Sequence, residues 1–480
     1  MTTQPTLNYK PCFKDVADLL MTVAADHVVP GVAAAAVVDC ELAHVATHGW
    51  RDKERRLPWL PETPSRWYSI SKPLTAIAVG RLVEAGKLSW DQPLRSLLPD
   101  LRFEDPVATE RATVADCLLH RTGMVGGGWM WMGKSIAAEE LMRRLPHVSC
   151  RPGFRGGHHY QNLNFTILGE IFKALGTDWH SAMKEWLGLL GVKPLTRLAE
   201  FQAADRALGY GPNGLGPARR TDDFDFEGTA GASAVCGSIL ELAQVGRMMA
   251  LGGTVDGRAI VSPDTWKELT RPVLAMPDPS EKELRHPCVA LAGARVVYRG
   301  EILLRWAGGF TGYTAHVVAV PERRAAACAL VNRTASPTSD LLALSLLDRA
   351  AGWRPSPWAE RYLKGKREMR ARGAQRLAER LARPAAPWPC EVEAACGVFA
   401  NPLYGDLAVV PDTGGVRFEF RHVSLPLVPR ANGVFSADGS HADASEITWD
   451  LEPVLESGRV TAWKFGPDDP SHPERFARKG

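Results

Sequence analysis

Apolar residues at helical spacing over positions 13–27 predict an amphipathic helix at the start of the chain. The unbroken apolar run Gly31-Val-Ala-Ala-Ala-Ala-Val-Val that follows predicts a buried strand, with positions 42–49 as its partner across a short turn. Next, Pro73-Leu-Thr-Ala-Ile-Ala-Val-Gly-Arg-Leu-Val-Glu-Ala-Gly predicts a helix apolar enough to be buried and ending near Gly86. From about position 91 to 240 the pattern is helix-rich with long loops. Strands return at 295–298, 301–306, 313–320 and 325–331, and an apolar helix follows at 339–351. This order, β then α then β closed by a helix, predicts an α/β (α+β) domain. Its two ends meet in one antiparallel sheet flanked by helices, and an all-helical subdomain is inserted between them.

Past Trp353 the pattern changes. Arg354-Pro-Ser-Pro-Trp leads into a charged helix at 364–383 and then into Pro384-Ala-Ala-Pro-Trp-Pro389, a stiff linker. From Gly397 onward, short alternating segments such as Gly415-Val-Arg-Phe-Glu-Phe-Arg-His and Val460-Thr-Ala-Trp-Lys-Phe are separated by Gly, Asp and Asn turns. They predict a small all-β barrel. The expected division is a first domain at 1–355, a helical and proline-rich linker at 356–390 and the barrel at 391–480.

Composition narrows the function classes. With 45% hydrophobic and 23% charged residues, the 480-residue chain has the make-up of an ordinary soluble globular protein. A net charge of +3 without a basic block argues against nucleic acid or an anionic membrane as main partner. A small-molecule site fits better. The stretch Met1-Thr-Thr-Gln-Pro-Thr-Leu-Asn-Tyr-Lys has no apolar core of a leader, and no segment is long and apolar enough to span a bilayer, so cytoplasmic residence is expected. Nine cysteines without C-x-x-C spacing fit a reducing compartment, most of them as buried apolar fillers.

The candidate chemistry begins at Trp67-Tyr-Ser-Ile-Ser-Lys, where Ser69 stands three residues before Lys72 at the start of the buried helix. That spacing puts both side chains on one face, so an amine whose pKa is lowered by burial can take the hydroxyl proton. Ser181-Ala-Met-Lys184 has the same spacing, but an ordinary amphipathic helix explains it. Tyr160-Gln-Asn162 places a phenol and an amide on the same side of an extended segment, able to relay the Ser69 proton and to bind a carbonyl or hold Lys72. The alternative is a surface Tyr beside an Asn at a helix start. In Trp306-Ala-Gly-Gly-Phe-Thr-Gly312, small residues at Gly308 and Gly309 permit close approach of a ligand to backbone amides, or mark a Gly-rich hairpin with no function. Lys134, His158 and His159 are read as solvated loop residues. Nothing implies a metal or a cofactor.

These elements, in this order, resemble the serine β-lactamase and penicillin-binding-protein-like superfamily, in particular its class C-like branch of esterases, D-aminopeptidases and acyltransferases. Arg81-Leu-Val-Glu-Ala-Gly-Lys-Leu-Ser-Trp-Asp91, Thr113-Val-Ala-Asp-Cys-Leu-Leu-His-Arg-Thr-Gly123 and Ala329-Leu-Val-Asn332 extend the likeness over about residues 10–350. The tail, with Gly397-Val-Phe-Ala-Asn-Pro-Leu-Tyr-Gly405, is similar to the lipocalin-like barrel often appended to such proteins. The resemblance implies Ser69 as nucleophile, Lys72 as its base and Tyr160 as partner acid or base. It also implies that Asn162 positions Lys72 and substrate, and that the amides of Ser69 and Gly309 form an oxyanion hole. Trp306 stands where many relatives have Lys or His, as in the superfamily's esterases, which favours a neutral ester, amide or thioester over a β-lactam. In relatives the region of Trp129-Met-Trp-Met132 borders the pocket, so Trp129 and Trp131 either bind an acyl group or tuck into the core.

Overall fold

The computed structural model describes residues 11–133, 135–213, 216–279, 281–413, 415–431, 433–440 and 446–480. The first ten residues, where the absence of a leader was read, and Lys134 lie outside them. Small and β-branched residues build a nine-stranded antiparallel sheet. In it Gly31–Val38 lies between Glu41–Asp52 and Ala325–Val331, with Val32 opposite Val331 and Ala36 opposite Ala327. The two ends of the first region therefore do meet in one sheet. Alternation splits the first strand between two cores: Ala33, Ala35 and Val37 face one, Val32, Ala34 and Ala36 the other. Both faces are covered, which is why this strand is apolar at every position. On one side lie the helices Val16–Asp26 and Thr338–Ala350, on the other Ile239–Ala250.

The helix Ser71–Glu84 has its first ten residues buried all round. Its low amphipathicity follows from that placement, since no face meets water. Trp179–Gly188 and the shorter helices Ala230–Ser233 and Pro263–Thr270 pack around it. The charged helix is longer than its sequence pattern predicts, running Trp358–Leu381, because Trp358 is buried and its indole donates to Asp348.

The last eight strands form a closed barrel, sealed by pairing of Gly397–Asn401 with Glu474–Arg478. An eight-stranded barrel is just wide enough for its side chains to fill. Here Phe418, Phe420, Trp449, Phe465 and Phe476 do so, with centroids 4.9 to 6.0 Å apart among neighbouring rings. Arg380 pins the long helix to the barrel through Asp438 and Asp450. Of the nine free cysteines, Cys40, Cys117, Cys150, Cys236 and Cys328 are buried, so the filler reading holds for those five; Cys12 is exposed. Among the described residues no helix is long and apolar enough to cross a membrane.

Candidate active site

Ser69 lies in the single helical turn Tyr68–Ile70 that precedes the buried helix. Tyr68 adopts φ +47°, a left-handed conformation rare for a bulky residue, and it is held there: its hydroxyl donates to the Thr311 carbonyl at 2.5 Å and the side chain is buried. The bend presents the Ser69 Oγ to two partners. Lys72 Nζ lies 3.0 Å away and Tyr160 donates its phenol proton over 2.7 Å.

Burial explains the state of these groups. Lys72 is 5% exposed, and its second hydrogen bond goes to the Ala232 carbonyl at 3.1 Å. Desolvation alone holds its pKa well below the usual lysine range. A neutral amine beside a serine hydroxyl can accept a proton. Protein packed around the Tyr160 phenol pushes its pKa up to about 12, against a smaller lowering by the Ser69 bond, although the residue as a whole keeps 55% of its surface exposed. Near neutral pH the phenol keeps its proton.

Gly308 and Gly309 lie on the strand Glu301–Phe310 that passes this turn. A Cβ at Gly308 would stand 1.9 Å from the Trp67 carbonyl oxygen and 2.8 Å from the Ser69 nitrogen, so only glycine lets the strand approach. Pairing with the neighbouring strand Gly293–Tyr298 ends at Ala294 opposite Arg305, and the backbone from 306 to 310 is unpaired by that strand. Gly308→Ala is expected to push the Ser69 turn aside, lowering turnover about a hundredfold and, because the clash is with backbone, lowering the unfolding temperature as well. Steady-state kinetics beside a thermal melt check this.

Other expected positions differ from the pattern-based reading. Trp306 is 2% exposed and its indole donates to the Ala292 carbonyl at 2.8 Å, so that N–H is not offered to a ligand. Asn162 does not hold Lys72: the Ala232 carbonyl takes that place, and the buried Asn162 Oδ1 has no hydrogen-bond partner. His158 and His159 are half-buried rather than solvated. The second Ser-x-x-Lys pair is structural, since Ser181 donates its amide and hydroxyl to Asp178, the residue that caps the helix, and Lys184 pairs with Glu200.

Trp129 and Trp131 part company. Trp131 is buried near Phe310 and Phe226, with ring centroids 5.8 and 6.2 Å away, and Phe226 reaches Tyr68 at 5.6 Å. Phe224 lies 5.8 Å from Phe310. Phe224, Phe226 and Phe310 were not singled out from the sequence; no spacing rule marks rings that converge from separate loops. Trp129 instead faces the barrel, stacked on His422 at 5.6 Å and edge-on to Trp449 at 4.7 Å. The barrel grips this tract closely. Asp468 accepts the Tyr404 hydroxyl at 2.7 Å with its carboxylate beside Gly128, and Arg421 donates to the Met130 carbonyl. On the other side Gln161 donates to the Gly126 carbonyl at 2.9 Å. Asp468→Ala is expected to cost about 1–3 kcal/mol by leaving the buried Tyr404 hydroxyl without its acceptor, read as a lowered urea midpoint.

Among the described residues no group of His, Cys, Asp and Glu is placed to hold a metal ion. The arrangement is suited instead to acyl transfer through a serine. The chain is similar to several known proteins. An unguisins hydrolase of Aspergillus violaceofuscus is 24% identical over 423 residues, covering 80% of this chain and 74% of that one. Among solved structures, the octameric penicillin-binding protein homologue from Pyrococcus abyssi superposes with a TM-score of 0.61 at 20% identity, over 96% of this chain and 98% of that one. EstCE1, a hydrolase with promiscuous acyltransferase activity, gives 0.59 at 17% identity, over 71% and 98%. These superpositions establish the fold. Residues 16–351, which carry the whole sheet, the buried helix and the Ser69 turn, match the family described as Beta-lactamase, and the chain belongs to that family.

Proposed function

We propose that this protein is a serine acyl hydrolase that cleaves a neutral ester or amide through an acyl-enzyme on Ser69. The observation that carries the reading is the pair of contacts on one oxygen: a desolvated Lys72 amine at 3.0 Å and a protonated Tyr160 phenol at 2.7 Å. Ser69 Oγ attacks the carbonyl carbon while its proton passes to Lys72 Nζ. The tetrahedral oxyanion is met by the amides of Ser69 and Gly309, beside the helix N-terminus. On collapse the bond to the leaving group breaks, and that group takes the Tyr160 proton, which the Lys72 ammonium restores. Water then attacks the ester, giving its proton to the same pair, and Ser69 is released.

Two features support a neutral and apolar acyl donor. The buried Trp306 stands where a substrate carboxylate would need a cation, and Trp131, Phe226 and Phe310 wall the site with rings. The same wall favours a second reading, in which a bound amine or alcohol replaces water as acceptor. The likeness to a hydrolase with acyltransferase activity supports keeping it.

The test is intact-mass detection of an adduct on Ser69 across p-nitrophenyl esters, D-amino acid amides, peptide thioesters and a chromogenic β-lactam, each with and without an added amine. Ester adducts that resolve to free acid support hydrolysis, and amide products support transfer. An adduct with the β-lactam alone would overturn the neutral-substrate reading.

A further inference from the structure

We propose that His120 is the positioning residue that holds the Tyr160 phenol on Ser69. His120 stands just beyond the short helix Val114–Leu118 at φ +55°, a left-handed conformation that few non-glycine residues adopt. From there it grips the chain on both sides of Tyr160. Its carbonyl accepts the His159 amide at 3.0 Å, and its Nδ1 accepts the Gln161 amide at 2.9 Å. Its ring lies along the Tyr160 ring, with centroids 4.7 Å apart and planes 29° from parallel. Phe165 supports the imidazole at 5.6 Å and His158 meets it edge-on at 5.3 Å.

This clamp matters because, although protein packs around the phenol, few directed contacts fix Tyr160. More than half of its surface is exposed, and the other named contacts of its side chain are Ser69 Oγ and Lys72 Nζ, the latter 4.6 Å from its ring centroid. A phenol free to swing would leave the Ser69 oxygen, and near-attack geometry is sensitive to displacements of about 1 Å. The chemistry of the ring suits the task. An Nδ1 that accepts an amide proton requires a neutral imidazole with its own proton on Nε2. Burial keeps the ring neutral. A protonated ring would present a donor to the Gln161 amide and release the clamp.

The inference rests on the acyl-enzyme reading of Ser69, and the experiment separates the two. In the full chain, Ser69 labelling by a fluorophosphonate and kcat and KM on a p-nitrophenyl ester are measured for His120→Phe and His120→Asn, each with and without Tyr160→Phe. Phenylalanine keeps a ring against Tyr160 but has no acceptor. Asparagine tolerates the left-handed backbone and places its amide oxygen near the position of Nδ1. With Tyr160 present, His120→Phe is expected to lower kcat at least about tenfold with KM within about twofold, and His120→Asn to recover most of that loss. In the Tyr160→Phe background, His120→Phe should change kcat by less than about twofold, because its effect passes through the phenol. Equal losses in both backgrounds, or a His120→Asn variant no better than His120→Phe, would overturn the positioning role. Should His120→Phe fail to fold, a crystal structure of His120→Asn decides: Tyr160 displaced from Ser69 while the Gln161 amide bond is kept would overturn it too. Absence of Ser69-dependent labelling in the parent chain would instead remove the acyl-enzyme reading, and the clamp's purpose with it.

Discussion

Ser69→Ala is expected to abolish covalent labelling by a fluorophosphonate and to lower ester turnover on the order of 10⁵-fold, to the level left by binding alone. The size follows from the mechanism, since without Oγ there is no acyl-enzyme and water must attack a substrate placed for a different nucleophile. The control is Ser181→Ala. That serine shares the same spacing to a lysine, yet its hydroxyl donates to the helix-capping Asp178 and its lysine pairs with Glu200. Labelling should be undiminished there. Labelling that survives loss of Ser69 would refute the assignment outright.

Lys72→Met should have two effects of opposite sign. Turnover is expected to fall about 10²–10⁴-fold, the usual worth of a positioned base. Stability at neutral pH is expected to rise. Burial lowers the Lys72 pKa in the folded protein, whereas the unfolded chain keeps an ordinary lysine of about 10.4. Between those two values the unfolded state holds a proton that the native state lacks, so stability climbs with pH across that window and the cost of the buried amine is present below it. Methionine removes this cost but leaves the Ala232 carbonyl without its donor, an offset of about 1 kcal/mol. The gain of the variant over the parent should therefore be larger at pH 7 than at pH 10, in urea unfolding followed by tryptophan fluorescence. A pH-independent difference would mean that Lys72 is charged in the folded protein. In the parent, turnover should rise with pH as Lys72 loses its proton, and fall only as Tyr160 ionises near pH 12.

Much of this was legible in the chain. The alternation past Gly397 carries a period that only strands satisfy, and the apolar runs at Gly31 and near the end of the first region are short and bounded by turns, as buried strands are. Ser69 and Lys72 are close because a turn of helix makes them so. Tyr160 was legible as chemistry but not as geometry: 91 residues separate it from Ser69, and no local rule brings it there. Where the reading went astray, depth and partners were at fault. Alternation assigns Trp306 to a face without revealing that Ala292 takes its proton. The second partner of Lys72 is a backbone carbonyl, which has no residue signature, so Asn162 was credited with its role.

The sequence by itself determined the element types and the closeness of Ser69 to Lys72, since these are set by spacings within a few residues, whereas closure of the tail needed its first and last strands to pair. Tertiary structure decided which phenol reaches Ser69, that three rings gather beside Tyr68, that the barrel rather than solvent holds the tract around Trp129, and that His120 lies beneath Tyr160. Those outcomes depend on packing between segments far apart in the chain. There the free energy belongs to the contact, and neither segment carries a pattern that names the other.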